Sequence, residues 1–239
     1  MNASINSLSM IFLYYDNPRM LAEQIRCWNT YPDFLNTAPT IIVVDDGSPS
    51  TKAANIIQRH LCRVPIQVFR IKEDIPWNFS GARNLGCTHA NDWIYMSDID
   101  TLLYGKDAKN MFEGHPLDQA QIYIPKRVHL PSKGIAPTAM VNLLFHKTQF
   151  LAVGGYDEDF AGHYGKEDTD FFRRLKRVTK LVERSDVVVR VMPPRIIRDA
   201  CSRGRPRDKK RNGALFAQKR AAGYPKPVNP LRFTWERIL

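Results

Sequence analysis

Short apolar runs alternate with amphipathic stretches through the first hundred residues. Residues 9–15 are rich in β formers and read as a first strand. Asp16-Asn17-Pro18 is turn chemistry, with Pro18 suited to the first turn of a helix; Met20, Leu21, Ile25 and Trp28 then recur at helical spacing. Residues 40–44 are a continuous apolar run dominated by β-branched residues, the pattern of a strand covered on both faces of a parallel sheet. Residues 52–61 predict a helix, 66–71 a third strand, 81–90 a helix and 92–96 a fourth strand. Strand and helix in alternation imply right-handed crossovers and a doubly wound α/β sheet, mostly parallel and flanked by helices.

Further on, residues 122–128 and 140–146 predict strands on either side of a Pro/Gly loop at 131–137. Residues 167–182 read as an amphipathic helix with Phe171, Phe172 and Leu175 inward, and 187–191 as a last strand. After Pro193-Pro194 the chain turns basic and rich in Gly and Pro. The expected organisation is a single domain over 1–194, with a nucleotide-binding half (1–104) and an acceptor or catalytic half (105–194). Residues 195–239 would be an extension packed on it or trailing from it.

Composition changes this picture little. The 239 residues are 44% hydrophobic and 25% charged, as in ordinary soluble domains. The longest apolar stretch, at 8–15, is about half of the ~20 residues a membrane span needs. The N-terminus lacks the basic start and apolar core of a signal peptide. Cys27, Cys62, Cys87 and Cys201 are scattered without C-x-x-C spacing, which argues against a zinc site or a disulfide framework. A cytoplasmic location is the default, with a peripheral membrane position or a host cytoplasm for a viral chain as variants.

Charge changes it more. The net charge is +11, and residues 195–239 alone hold 13 Lys/Arg against three Asp/Glu. A concentrated positive surface suits a polyanion: nucleotide phosphates, nucleic acid or an anionic membrane face. A solvated basic tail is the plainer reading.

Four constellations carry chemistry. Asp98-Ile99-Asp100 follows an apolar strand, and two carboxylates that close repel unless a cation bridges them. A divalent metal carrying a diphosphate would do so. Asp45-Asp46-Gly47-Ser48 follows residues 40–44, where acidic side chains accept hydrogen bonds from a nucleoside or cap the next helix. Arg83 precedes the Asp-x-Asp strand on a helix, placed for a phosphate or as a surface cation. Glu167, Asp168 and Asp170 open a helix, where the dipole favours anions and one carboxylate would serve as a general base.

These residues resemble a GT-A glycosyltransferase of the inverting family 2 type. The resemblance rests on Val-Val-Asp-Asp-Gly-Ser (43–48), Gly-Ala-Arg-Asn-Leu-Gly (81–86), Asp-Trp-Ile-Tyr-Met-Ser-Asp-Ile-Asp (92–100), Gly-Gly-Tyr-Asp-Glu-Asp-Phe (154–160) and Gly-Lys-Glu-Asp-Thr-Asp-Phe-Phe-Arg-Arg-Leu (165–175), in that order. The second half is also similar to the β-1,4-galactosyltransferases, including Arg-Asp-Lys-Lys (207–210) and Asn-Pro-Leu-Arg-Phe (229–233). The resemblance implies a GT-A, Rossmann-like fold and a metal-dependent inverting transfer from a nucleotide-sugar, with UDP expected. Tyr14, Tyr15, Arg19, Asp45, Asp46, Arg83 and Asp98 would bind the donor. Asp100 and Asp98 would hold Mn2+ or Mg2+, Asp168 would be the catalytic base, and Glu167 would help hold the acceptor. Gly155, Tyr156 and Tyr164 would border the acceptor. The galactosyltransferases complete the metal shell with a later histidine. This chain has none after His163, and Asp199 stands near that place.

The sequence leaves the sugar and the acceptor open. A glycan or lipid-linked saccharide is the leading acceptor, and a hydroxymethylated DNA base, as in phage DNA glycosyltransferases, is the alternative. A nucleotidyltransferase or a non-catalytic nucleic-acid-binding protein are the readings from other classes.

Overall fold

The computed structural model describes residues 7–36, 39–130, 134, 140–197, 205–228 and 231–239. Its first half holds four parallel strands, β1 (Leu8–Tyr14), β2 (Thr40–Asp46), β3 (Ile66–Ile71) and β4 (Trp93–Ser97), in the order β4-β1-β2-β3. Helices α1 (Pro18–Trp28), α2 (Ala53–Ile57) and α3 (Phe79–His89) connect them in turn. Successive side chains of a strand face opposite ways, so an all-apolar strand needs cover on both sides. Met10, Phe12 and Tyr14 of β1 pack in one core with Trp28 of α1, while Ile11 and Leu13 pack in the other with Leu85 of α3. Gly86 brings α3 close to the sheet, since a Cβ there would meet Ile11 Cγ2 at 2.7 Å.

The second half comprises β5 (Thr101–Leu102), α4 (Gly105–Glu113), β6 (Gln121–His129), β7 (Leu143–His146), α5 (Lys147–Val153), α6 (Glu167–Leu175) and β8 (Lys180–Val191). Then come α7 (Pro194–Ile197), α8 (Lys210–Ala221) and β9 (Trp235–Arg237). The full sheet order is β5-β8-β6-β7-β4-β1-β2-β3-β9. Strand β7 is antiparallel to β4 and β6, β6 and β8 are parallel, and β5 and β9 run antiparallel to their neighbours. The expected α/β sheet is therefore present, with its parallel part in the first half and a mixed second half.

Four elements differ from the sequence pattern. The helix expected over 167–182 stops at Leu175, where the Thr179 hydroxyl donates to the Leu175 carbonyl at 2.7 Å. From Lys180 the backbone pairs with β6 instead, so the strand expected at 187–191 is the end of a 12-residue one. Val178, Thr179 and Val182 are β-branched and suit that outcome. The helix expected at 52–61 covers only Ala53–Ile57. The strand expected at 140–146 starts at Leu143, and the loop expected at 131–137 lies outside the described residues apart from Gly134. The basic extension carries a helix and adds an edge strand, with Arg70 opposite Glu236. No helix among the described residues is long and apolar enough to cross a membrane.

Candidate active site

Past Ser97 the chain turns through Asp98, Ile99 and Asp100 into β5. Two buried side chains and one backbone amide hold this turn. Gln24 of α1 donates from Nε2 to the carbonyls of Ile99 (2.9 Å) and Thr101 (2.7 Å). Asn142 donates from Nδ2 to the hydroxyls of Ser97 and Thr101, both at 2.9 Å. The Met192 amide donates to the Asp100 carbonyl at 2.8 Å. With its backbone satisfied by neighbours and Ile99 buried, the turn leaves both carboxylates to line a pocket of about 310 Å³. That volume is at the small end of ligand sites. Asp100 Oδ1 is buried without a hydrogen-bond partner. Burial, then the charge of Asp98, raises the Asp100 carboxyl to about 6, against the opposing pull of Arg127.

Arg83 of α3 is the cation at the floor of this pocket. Its guanidinium lies 2.6 Å from Asp168 Oδ1, 3.3 Å from Asp98 Oδ1 and 3.8 Å from Glu167 Oε1. It packs between the rings of Tyr156 (5.0 Å) and Phe79 (5.6 Å), which fix its plane. Burial works against the charged guanidinium, and Asp168, Tyr156, Asp98 and Glu167 outweigh it. Burial raises the carboxyls of both Asp168 and Glu167, with Arg83 pulling the other way. Three carboxylates thus share one guanidinium.

Tyr156 is fully buried and stacks on Phe171 with ring centroids 4.0 Å apart. Asn84, the neighbour of Arg83, holds the turn that delivers it: Asn84 Nδ2 donates to the Tyr156 carbonyl and Tyr156 N donates to Asn84 Oδ1, both at 2.9 Å. Gly155 has φ +71°, and a Cβ there would meet Asn84 Oδ1 at 2.7 Å. From α6, Arg174 Nη1 donates to the Val153 and Gly155 carbonyls at 2.6 Å while its Nε donates to Asp170 at 2.9 Å. Gly155 and Tyr156 therefore support Arg83 from below and do not line the pocket, and Asp170 is held by Arg174.

Asp45 and Asp46 part company at the end of β2. Asp45 accepts from the Ser48 amide (2.9 Å) and the Ala53 amide (2.8 Å), so both its oxygens bind backbone and it stands off the pocket. Asp46 lines the pocket and accepts from Asn78 Nδ2 at 3.0 Å, and burial raises its carboxyl to about 7. Tyr14 and Tyr15 line it too. The Tyr14 hydroxyl donates to the Thr51 carbonyl at 2.7 Å, and Tyr15 carries Arg205 over its ring at 4.7 Å. Arg19 is exposed and outside the lining, and Asp199 lies outside the described residues. Tyr164 lines the opposite wall, edge-on to Trp77 at 4.8 Å, with Arg207 (5.1 Å) and Lys209 (5.6 Å) over its ring.

Among the described residues no three His, Cys, Asp or Glu side chains converge as a metal site. Asp98 and Asp100 nonetheless suit a divalent cation that brings its own oxygen ligands. They are hard donors, two residues apart, and one buried oxygen lacks a partner.

Residues 106–200 match the family model for glycosyltransferase like family 2. Among solved structures, S. aureus TarS 1–349 superposes with a TM-score of 0.62 at 15% identity, covering 80% of this chain and 62% of that one. TarS 1–349 in complex with UDP-GlcNAc gives 0.64 at 14%, covering 78% and 58%. The mannosyltransferase PcManGT from Pyrobaculum calidifontis, in complex with GDP-Man and Mn2+, gives 0.59 at 15%, covering 79% and 58%. The fold is that of the GT-A glycosyltransferases. The chain spans about three fifths of the length of these solved chains. No curated protein matches by sequence.

Sequence reasoning missed Trp77, Phe79, Asn78, Lys166 and Arg207 around the pocket. Trp77 and Phe79 follow Pro76 where the loop after β3 enters α3, at the strand end of an α/β sheet where ligands bind, and that position was the available signal. Lys166 and Arg207 lie within the motifs at 165–175 and 207–210, and that placement was their signal.

Proposed function

We propose that this chain is a glycosyltransferase that moves a sugar from a nucleotide-sugar, with UDP as the expected nucleotide, to an acceptor hydroxyl with inversion. The supporting observation is one pocket in which Asp98 and Asp100 face Asp168 across the Arg83 guanidinium. Asp168 takes the proton of the acceptor hydroxyl as that oxygen bonds to the anomeric carbon. The bond from that carbon to the diphosphate breaks, and the nucleoside diphosphate leaves with its electron pair. Arg83 fixes Asp168 through Oδ1, and the raised carboxyl makes it a stronger base than an ordinary aspartate. Asp98 and Asp100 would hold Mn2+ or Mg2+, which when bound supplies positive charge for the leaving diphosphate. Asp46 and Tyr15 border the nucleoside end.

A saccharide, free or lipid-linked, is the acceptor of this reading. One observation favours a polyanionic acceptor such as modified DNA: Arg207 and Lys209 sit over Tyr164 with no carboxylate ion pair among the described residues. A steep fall of duplex affinity with salt supports that second reading, and a flat response removes it.

The test of the main reading uses Asp168→Asn. Transfer should fall roughly 100- to 10,000-fold, the usual worth of a general base, while UDP with Mn2+ still raises the melting temperature. Near-normal turnover in this variant would refute the base assignment. Stabilisation of the wild type by nucleoside triphosphates, and not by UDP with Mn2+, would refute the donor.

A further inference from the structure

Helix α6 begins without the usual means of fixing a helix start. Its N-cap is Lys166, in the left-handed region at φ +80° and with no side-chain cap. The approach contains Gly162 and Gly165, both at φ +88°. No capping side chain therefore fixes the backbone that carries Glu167 and Asp168 into the pocket. A side chain 44 to 45 positions further along does so.

Asn212 is fully buried and is the sole buried residue of α8. Its Nδ2 lies within hydrogen-bond distance of the carbonyls of Phe160 (3.0 Å), His163 (2.9 Å) and Gly165 (2.9 Å), so that its two hydrogens serve three acceptors and one is shared. One amide thus gathers three backbone carbonyls that regular structure leaves unbonded, immediately before Lys166. The contact continues along the same helix face, since positions i, i+4 and i+7 share one side. Phe216 receives the Lys166 ammonium over its ring at 5.4 Å. Lys219 pairs with Asp157 at 2.7 Å and Asp159 at 2.9 Å. All three contacts land on residues 157–166, the segment that leads into Glu167 and Asp168.

We infer that α8 is a positioning element for the transfer step, with Asn212 as its principal positioning residue, holding residues 160–166 so that Asp168 meets the acceptor hydroxyl. This inference rests on the transferase reading above. It adds that catalysis needs an element C-terminal to the family-matched residues 106–200. Misplacing a reacting group by about an ångström costs on the order of 100-fold in rate, so a remote clamp of this kind has a large lever.

The experiment uses the full chain and Asn212→Ala. The expected result is a roughly 10- to 100-fold drop in kcat with donor KM and UDP affinity within about twofold of wild type. Hydrogen exchange should speed up over 157–168 and stay unchanged over β1 and β2. The acid limb of the kcat–pH profile should also move, because Arg83, Glu167, Asp98 and Tyr156 surround the Asp168 carboxyl and its distances to them change. Loss of folded protein alone would lower kcat without moving that limb. Should Asn212→Ala fail to fold, Lys219→Met loosens the same face and should give a smaller kcat loss with the same split. Unchanged kcat and unchanged exchange over 157–168 would overturn the inference, as would kcat loss with an unmoved acid limb. A wild type that transfers from no donor would sink the transferase reading instead, and the exchange measurement would still decide whether Asn212 holds 160–166.

Discussion

Two acidic clusters of the molecule are compensated differently. Asp157, Glu158 and Asp159 are matched by cations and donors: Lys219 bridges Asp157 and Asp159, Arg232 pairs with Asp159 at 2.7 Å, and Asn84 donates to Glu158 at 2.9 Å. Glu167, Asp168 and Asp98 share the single buried guanidinium of Arg83. The shifts follow the difference. Hydrogen bonds from Lys219 and Arg232 pull the Asp159 carboxyl below its ordinary range, while burial leaves Asp168 and Glu167 above theirs. A balanced cluster holds the chain together. A cluster short of positive charge is prepared to accept more, as a proton from a hydroxyl or as a divalent cation.

The strongest way to break this comparison is to remove its central cation. Arg83→Met leaves three carboxylates around a buried site with no counter-charge, a change that typically costs about 3–5 kcal/mol. Transfer should be lost, and urea melts should show the destabilisation. Mn2+ with UDP should restore part of the stability, because the added cation replaces some of the missing charge. A variant that keeps wild-type stability without metal would contradict the view that Arg83 carries the compensation.

Much of this was legible in the sequence. The parallel strands and their helices follow from apolar runs that a two-sided sheet requires, and Asp98, Asp100, Arg83, Glu167 and Asp168 do converge on one pocket. What was not legible depends on which way neighbours face. Asp45 and Asp46 look equivalent as letters, yet adjacent strand residues point to opposite sides, and only Asp46 lines the pocket. Tyr156, read as an acceptor contact, is instead buried between Arg83 and Phe171. Helix α8 lacks an apolar stripe, so hydrophobic pattern could not reveal that Asn212 docks it.

A second test moves to the edge of the unbalanced region. The Asp46 carboxyl is raised by burial to about 7 from an ordinary 3.8, so the folded protein holds this proton more tightly than the unfolded chain does. Between about pH 4 and 7 the unfolded state therefore binds fewer protons, and stability falls as pH rises through that window. At ~1.4 kcal/mol per unit the full effect is at most about 4 kcal/mol. Urea melts from pH 4 to 8 should show the decline in the wild type. Asp46→Asn, which retains the shape and removes the ionisation, should flatten it and be the more stable protein at pH 8. Parallel profiles for the two proteins would mean that Asp46 is not held protonated.

The balanced cluster gives the smallest effect and the cleanest contrast. Lys219→Met removes both ion pairs to Asp157 and Asp159 while keeping the length of the side chain. Asp157 is buried but retains the Asp159 amide on Oδ1 at 3.0 Å, and Asp159 retains Arg232, so neither carboxylate is abandoned. The expected loss is about 1–2 kcal/mol, the scale of one charge-assisted hydrogen bond. UDP affinity should stay within about twofold of wild type. The decisive feature is the response to metal: because this region is neutralised within the chain, Mn2+ with UDP should leave the Lys219→Met stability deficit unchanged, whereas it narrows the deficit of Arg83→Met. Equal responses in the two variants would mean that both clusters draw on one shared charge reserve.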